Sequence, residues 1–217
     1  MNQTWSRLCS PVAFLPGDDI HTDTIIPQTE VVSTGRTGLA AGLFASWRYD
    51  EQHAERPEFV LNQPAYRNAR ILAVGRNFGC GSSREHAVSA LAEFGIRCVL
   101  ALGFAPIFQR NCLRSRIAPL TLPADRLDAI AGAVGRSGQP RELLIDLRAA
   151  TLSCGSASWP VDLDGQIVEH VVNGLDEIDR TGWARTAITC FERSSPTDPI
   201  SLAASASRHG IVSSLWM

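Results

Sequence analysis

Lysine is absent from this 217-residue chain, and all 20 of its basic residues are arginine. That excludes a Schiff-base lysine, a P-loop lysine and the lysine of a kinase-type site. The six cysteines (Cys9, Cys80, Cys98, Cys112, Cys154 and Cys190) include no C-x-x-C pair. A self-contained zinc ribbon or iron–sulfur ligand set is therefore not expected. No apolar run approaches the roughly 18–20 residues of a transmembrane helix. The start, MNQTWSRLCSPVAF, lacks both the apolar core of a secretory signal and the Arg/Ser-rich amphipathic look of a transit peptide. A cytoplasmic protein with reduced, mostly buried cysteines is expected. There is little net charge, −2, so nothing argues for a nucleic acid or a membrane as partner.

What is present is ordinary globular composition, 45% hydrophobic and 19% charged, which excludes a mainly disordered chain. Residues 11–15, PVAFL, suit a short strand, and the Pro-bounded PGDDIHTDTIIP (16–27) reads as an ordered loop. LAAGLFASW (39–47) suits a short helix, and 50–69 is a long polar connection that needs a reason to exist. From ILAVG (71–75) the pattern alternates. Strands are predicted at 97–102 and 118–122, and helices over 84–94, 104–113 and 124–134, the last with Gly135 as its C-cap. Three short β-segments follow over 142–163, then short helices near 166–172 and 175–184. This order predicts an α/β domain with a parallel-sheet core and extra β-segments. The domain is expected over 1–193, with a Ser-rich tail at 194–217.

Two segments carry chemistry. RNFGCGSSREHA (76–87) follows a predicted strand and opens a predicted helix, the usual ligand position in an α/β sheet. Gly79 and Gly81 allow close backbone approach, and the helix start favours an anion. Ser82, Ser83 and Arg84 there suit a carboxylate or phosphate. The same residues also match S-x-x-E, a capping box from Ser82 to Glu85. The run is neither G-x-G-x-x-G nor a Walker loop. In the second segment, Asp18, Asp19, His21 and Asp23 crowd into six residues. They offer acid–base chemistry, or a turn in which Asp and Thr bond the backbone. Arg36, in the Gly-punctuated run Thr34–Gly38, is either an anion clamp or solvated surface.

DIHTDTIIP (19–27), GLFASWRYD (42–50), FVLNQPAY (59–66), NFGCGSSREHA (77–87), FAPIFQRN (104–111) and NGLDEI (173–178) together resemble the small subunit of 3-isopropylmalate dehydratase, the swivel domain of the aconitase superfamily. The segment around Trp47 and Arg48 resembles the longer, bacterial-type subunit. The resemblance implies a swivelling β/β/α domain and a hydro-lyase active only with a large subunit. It implies that the [4Fe–4S] cluster sits on that partner and that this chain binds no metal. The substrate would be a small hydroxy-dicarboxylate. By motif position Ser82 looks like the serine that moves the carbon-bound proton, while Ser83, Arg84, Asp23 and Arg36 match substrate-binding positions. Members acting on citraconate, dimethylmalate or homoaconitate share the motif. Arg76 stands where related sequences often carry an acid, and Ser89 where isopropylmalate members often carry Trp. Both bear on the substrate's side-chain pocket rather than on the chemistry.

Overall fold

Four short runs, VAF, ILAV, CVLA and APLT, are almost wholly apolar. Such runs suit strands covered on both faces. In the computed structural model, which describes residues 3–15, 17–34, 38–82, 85–135 and 140–175, they form one all-parallel sheet. Its strands are β2 (Val12–Phe14), β3 (Ile71–Val74), β4 (Cys98–Ala101) and β5 (Ala118–Thr121), in the order β2-β3-β4-β5. Proline cannot donate to a ladder and belongs at sheet edges, and Pro119 lies on the edge strand β5.

A second sheet is antiparallel, with strand order β1-β6-β7-β8. It joins β1 (Arg7–Ser10) to a meander of β6 (Leu143–Asp146), β7 (Thr151–Cys154) and β8 (Ala157–Pro160). The three β-segments read from 142–163 are this meander, but β1 extends the predicted 11–15 strand backwards into a different sheet. The chain changes sheets at Pro11. There the Ser10 hydroxyl donates to the Pro11 carbonyl (2.9 Å) and accepts the Arg70 N–H (2.8 Å).

Strand alternation assigns the two faces of the parallel sheet. Ala13, Leu72, Val74, Val99 and Ala101 pack against α5 (Glu85–Phe94) and α6 (Pro106–Arg114). Val12, Ile71, Ala73, Cys98 and Leu100 pack against Leu8, Leu143, Ile145 and Leu152 of the second sheet. Ile130 and Val134 of α7 (Ala124–Val134) join that face. The layers are therefore sheet, sheet, helix, as the resemblance implied. α7 ends at Gly135 with φ 76°, as its glycine predicts. α8 (Gly165–Ile167) is capped by Asp164, accepting the Gln166 N–H, and continues as a π-helical turn, Val168–Val172.

The first crossover differs from its sequence reading. The 16–27 loop contains a helical turn, α1 (Thr22–Ile25), and α2 (Gln28–Thr34) follows it. The predicted 39–47 helix is two turns, α3 (Leu39–Gly42) and α4 (Ala45–Arg48), broken by Phe44 at φ 50°. The 50–69 connection has its reason in Arg48, which is 7% exposed. Its guanidinium donates to Asn62 Oδ1 (3.3 Å) and to the carbonyls of Ala40 (3.1 Å) and Leu43 (3.4 Å). It also lies 5.0 Å from the Tyr49 ring centre and 5.1 Å from that of Phe94. Asn62 returns its amide to the Arg48 and Arg56 carbonyls, at 2.8 and 2.9 Å.

All described residues fall in one compact unit. The expected boundary at 193/194, most of the expected 175–184 helix and Cys190 lie outside them. No helix among the described residues is long and apolar enough to cross a membrane. The five described cysteines are free thiols, and Cys98, Cys112 and Cys154 are buried.

Burial pushes the Cys112 thiol far up, and burial with the neighbouring Cys112 does the same for Cys98. Unfolded thiols ionise near pH ~8.5. As pH rises, the unfolded chain loses these protons first. The stability that the neutral buried thiols contribute is thus complete below pH ~8.5 and declines above it, by about 1.4 kcal/mol per unit per thiol. Urea unfolding should show this fall, and Cys112→Ala should show a shallower one although it starts less stable. Parallel falls would exclude Cys112 as a source. Gly132, exposed in α7 with nothing near its missing Cβ, tests helix propensity instead. Gly132→Ala should raise stability by about 1 kcal/mol.

Candidate active site

Backbone pairing does not stop where the parallel strands end. Beyond β2 and β3, Asp19 N–H donates to the Arg76 carbonyl (2.9 Å), Gly79 N–H to Ile20 (2.9 Å) and Thr22 N–H to Cys80 (2.9 Å). Beyond β3 and β4, Leu102 N–H donates to Gly75 (3.2 Å), Phe78 N–H to Gly103 (3.0 Å) and Ala105 N–H to Phe78 (3.0 Å). The Gly75–Ser82 loop is thus held between the Gly17–Thr22 loop and the Leu102–Ala105 loop, at the carboxyl edge of the sheet. This is where α/β folds bind ligands.

Side chains tighten the pairing. The Asp18 carboxylate accepts the Arg76 N–H (2.7 Å), and Asp19 Oδ1 accepts the Asn77 amide (2.6 Å). The Thr22 hydroxyl, buried at 1% exposure, donates to the Ser82 carbonyl (2.9 Å). Two glycines are required by space. A Cβ at Gly75 would lie 2.2 Å from Asp18 Oδ1, and one at Gly79 2.1 Å from the Phe108 ring. Phe108 stands edge-on to Phe78 at 5.2 Å.

The two sequence segments that carry chemistry are therefore one structural unit. Asp18 and Asp19 brace the opposite loop rather than their own turn. Asp23 is exposed in the first turn of α1, one residue after Thr22. Ser82 is exposed, three residues before α5 begins, with its backbone fixed by Thr22. His21 forms a β-bridge with Cys80 and has Nδ1 3.0 Å from where a Gly81 Cβ would be. Ser83, Arg84 and Arg36 lie outside the described residues, and so does the question of the Ser82–Glu85 capping box. Ser89 is partly buried on α5, and Arg76 is exposed.

A phosphate-cradling glycine loop needs free backbone donors. Here the N–H groups of Arg76, Phe78 and Gly79 already bond Asp18, Gly103 and Ile20. Nor do the described donors fit an iron–sulfur cluster, which needs several thiolates together. No three of His, Cys, Asp or Glu converge among the described residues. Cys80 stands at the site, whereas Cys98 and Cys112 lie in the core. Burial, then the Asp19 charge, pushes the Cys80 thiol up, which keeps it protonated at neutral pH.

The comparisons agree with this architecture. Residues 15–125 match the family model of the aconitase C-terminal domain. The chain belongs to the family of 3-isopropylmalate dehydratase small subunits. It is 41% identical over 192 residues to that of Cereibacter sphaeroides, covering 88% of this chain and 95% of the relative. With the Brucella anthropi subunit it shares 44% over 192 residues, covering 87% and 94%. The solved 3-isopropylmalate dehydratase of Methanocaldococcus jannaschii has the same fold, at TM-score 0.54 and 23% identity, covering 86% of this chain and all but 1% of that one.

Gly79→Ala tests the packing of the site loop. A methyl group there meets Phe108, and φ 77° adds its own cost. Overpacking costs about 1–3 kcal/mol and the left-handed conformation roughly 1–2. Urea unfolding should show a loss of at least about 2 kcal/mol, and an unchanged midpoint would refute the close contact.

Proposed function

We propose that this chain is the small subunit of a 3-isopropylmalate dehydratase. The enzyme would interconvert 2- and 3-isopropylmalate, by loss and return of water, in leucine biosynthesis. The observation that carries the reading is identity of 41% along 95% of a curated small subunit. The Ser82 loop at the sheet's carboxyl edge supports it. In this reading the chain is inactive alone and works in the cytoplasm with a large subunit that holds the [4Fe–4S] cluster. This chain's part is proton transfer and substrate binding.

A proton α to a carboxylate is weakly acidic, so the charge that develops on its removal needs fixed positive potential. The N-terminus of α5 supplies part of it, and Arg84 supplies a guanidinium fork matched to a carboxylate. Ser82 takes the carbon-bound proton and returns it. Ser83, Arg84, Asp23 and Arg36 bind the substrate. A serine acts as a base only where its oxyanion is stabilised, and the same donors serve both ends of the transfer.

Co-expression with candidate large subunits, then an anaerobic assay on several hydroxy-acids, tests the reading. Turnover of 2-isopropylmalate supports it. Turnover only of a citraconate, dimethylmalate or homoaconitate substrate would transfer the assignment to that relative.

Within the complex, the two readings of Ser82, helix cap and proton-transfer residue, separate by magnitude. Losing a helix-cap oxygen costs about 1 kcal/mol of stability, whereas losing a positioned acid–base group costs roughly 10²–10⁴-fold in rate. Ser82→Ala should fold, assemble and bind substrate, yet lose nearly all turnover and solvent-isotope exchange at the substrate carbon. Ser83→Ala should chiefly raise KM. Near-normal turnover by Ser82→Ala would remove its catalytic assignment.

A further inference from the structure

We propose that Asp19 and Asn77 are positioning residues, whose side-chain hydrogen bond latches the Gly79–Ser82 loop where Ser82 can transfer its proton. The inference rests on the dehydratase reading of Ser82. Both residues sit in the left-handed region, at φ 54° and 52°, and they face each other across the two loops. Asp and Asn tolerate that region better than other side chains, and clustered backbone outliers of this kind mark functional sites. Asn77 Nδ2 donates to Asp19 Oδ1 at 2.6 Å. Beside it, Asp19 N–H donates to the Arg76 carbonyl and Arg76 N–H to the Asp18 carboxylate.

The next residue, Phe78, is held from the other side. Its ring is fully buried against Phe108, and its backbone bonds Gly103 and Ala105. The chain running to Ser82 thus leaves from a point fixed on both flanks. The core holds one flank, while the Asp19–Asn77 bond holds the other at an exposed surface. A water-exposed hydrogen bond adds little to stability. What it supplies here is geometry.

The test uses Asn77→Asp, Asp19→Asn and the double swap, each assembled with the large subunit. Asn77→Asp sets two carboxylates against each other and removes the donor. Proton transfer is sensitive to displacements of about 1 Å, which cost roughly 10²-fold. We expect kcat to fall by about that factor, KM to rise far less, and the thermal midpoint to stay near wild type. The swap, Asp19→Asn with Asn77→Asp, restores a donor–acceptor pair and should recover most of kcat. Wild-type kcat in Asn77→Asp would overturn the positioning role. So would a loss that follows the fraction of folded protein and is not restored by the swap. A wild-type complex without turnover of any hydroxy-acid would overturn the dehydratase reading and this role with it.

Discussion

Everything at the candidate site depends on backbone pairing that outruns the sheet. Parallel strands normally give way to loops whose polar groups turn to solvent. Here the loops after β2, β3 and β4 keep exchanging N–H and carbonyl groups for several residues. The result is a second, irregular ladder stacked on the first. It carries Asp23 and Ser82, which are 59 positions apart in the chain, on adjoining segments. The glycines of the central loop follow from that ladder. Gly75 and Gly79 leave room where a neighbouring carboxylate and an aromatic ring come within bonding or packing distance.

The ladder rests on a sheet that is buried on both faces. One face meets helices and the other a second sheet. Each Leu, Ile or Val removed from water there contributes about 1.5–3 kcal/mol relative to exposure. The crossover between β2 and β3 has a different anchor. It spans many short turns with little regular hydrogen bonding, and Arg48 gathers them by bonding carbonyls of α3 and its flank together with Asn62 from the long connection. A buried guanidinium is costly unless its donors are satisfied, and the aromatic faces of Tyr49 and Phe94 add cation–π contact.

Much of the parallel half was legible in the sequence. Its strands are continuous apolar runs, and α7 repeats Leu127, Ile130, Ala131 and Val134 at helical spacing. β1 was not, because RLCS is short and its partner β6 lies more than 130 residues away. Pairing at that separation leaves no local signature. α2 has no helical signature in the sequence, since QTEVVST is polar and β-branched, against intrinsic helix preference. At the site, residue types announced the two loops, and the motif match assigned residues of both to one substrate. The use of Asp18 and Asp19 as braces was hidden. Spacing within a loop cannot reveal a bond to residues 58 positions away.

Each sheet finishes, at β5 and at β8, on a strand of four residues that carries a proline. Pro119 interrupts the donors of one, and Pro160 closes the other, with its carbonyl accepting from Arg126 at 2.7 Å. Short, proline-bearing margins resist the addition of a further strand from another molecule. Nascent copies meeting in a crowded cell therefore find no template there for fibril-like growth. At these two margins, association is left to side-chain complementarity, where a correct partner can be told from a second copy of the same chain.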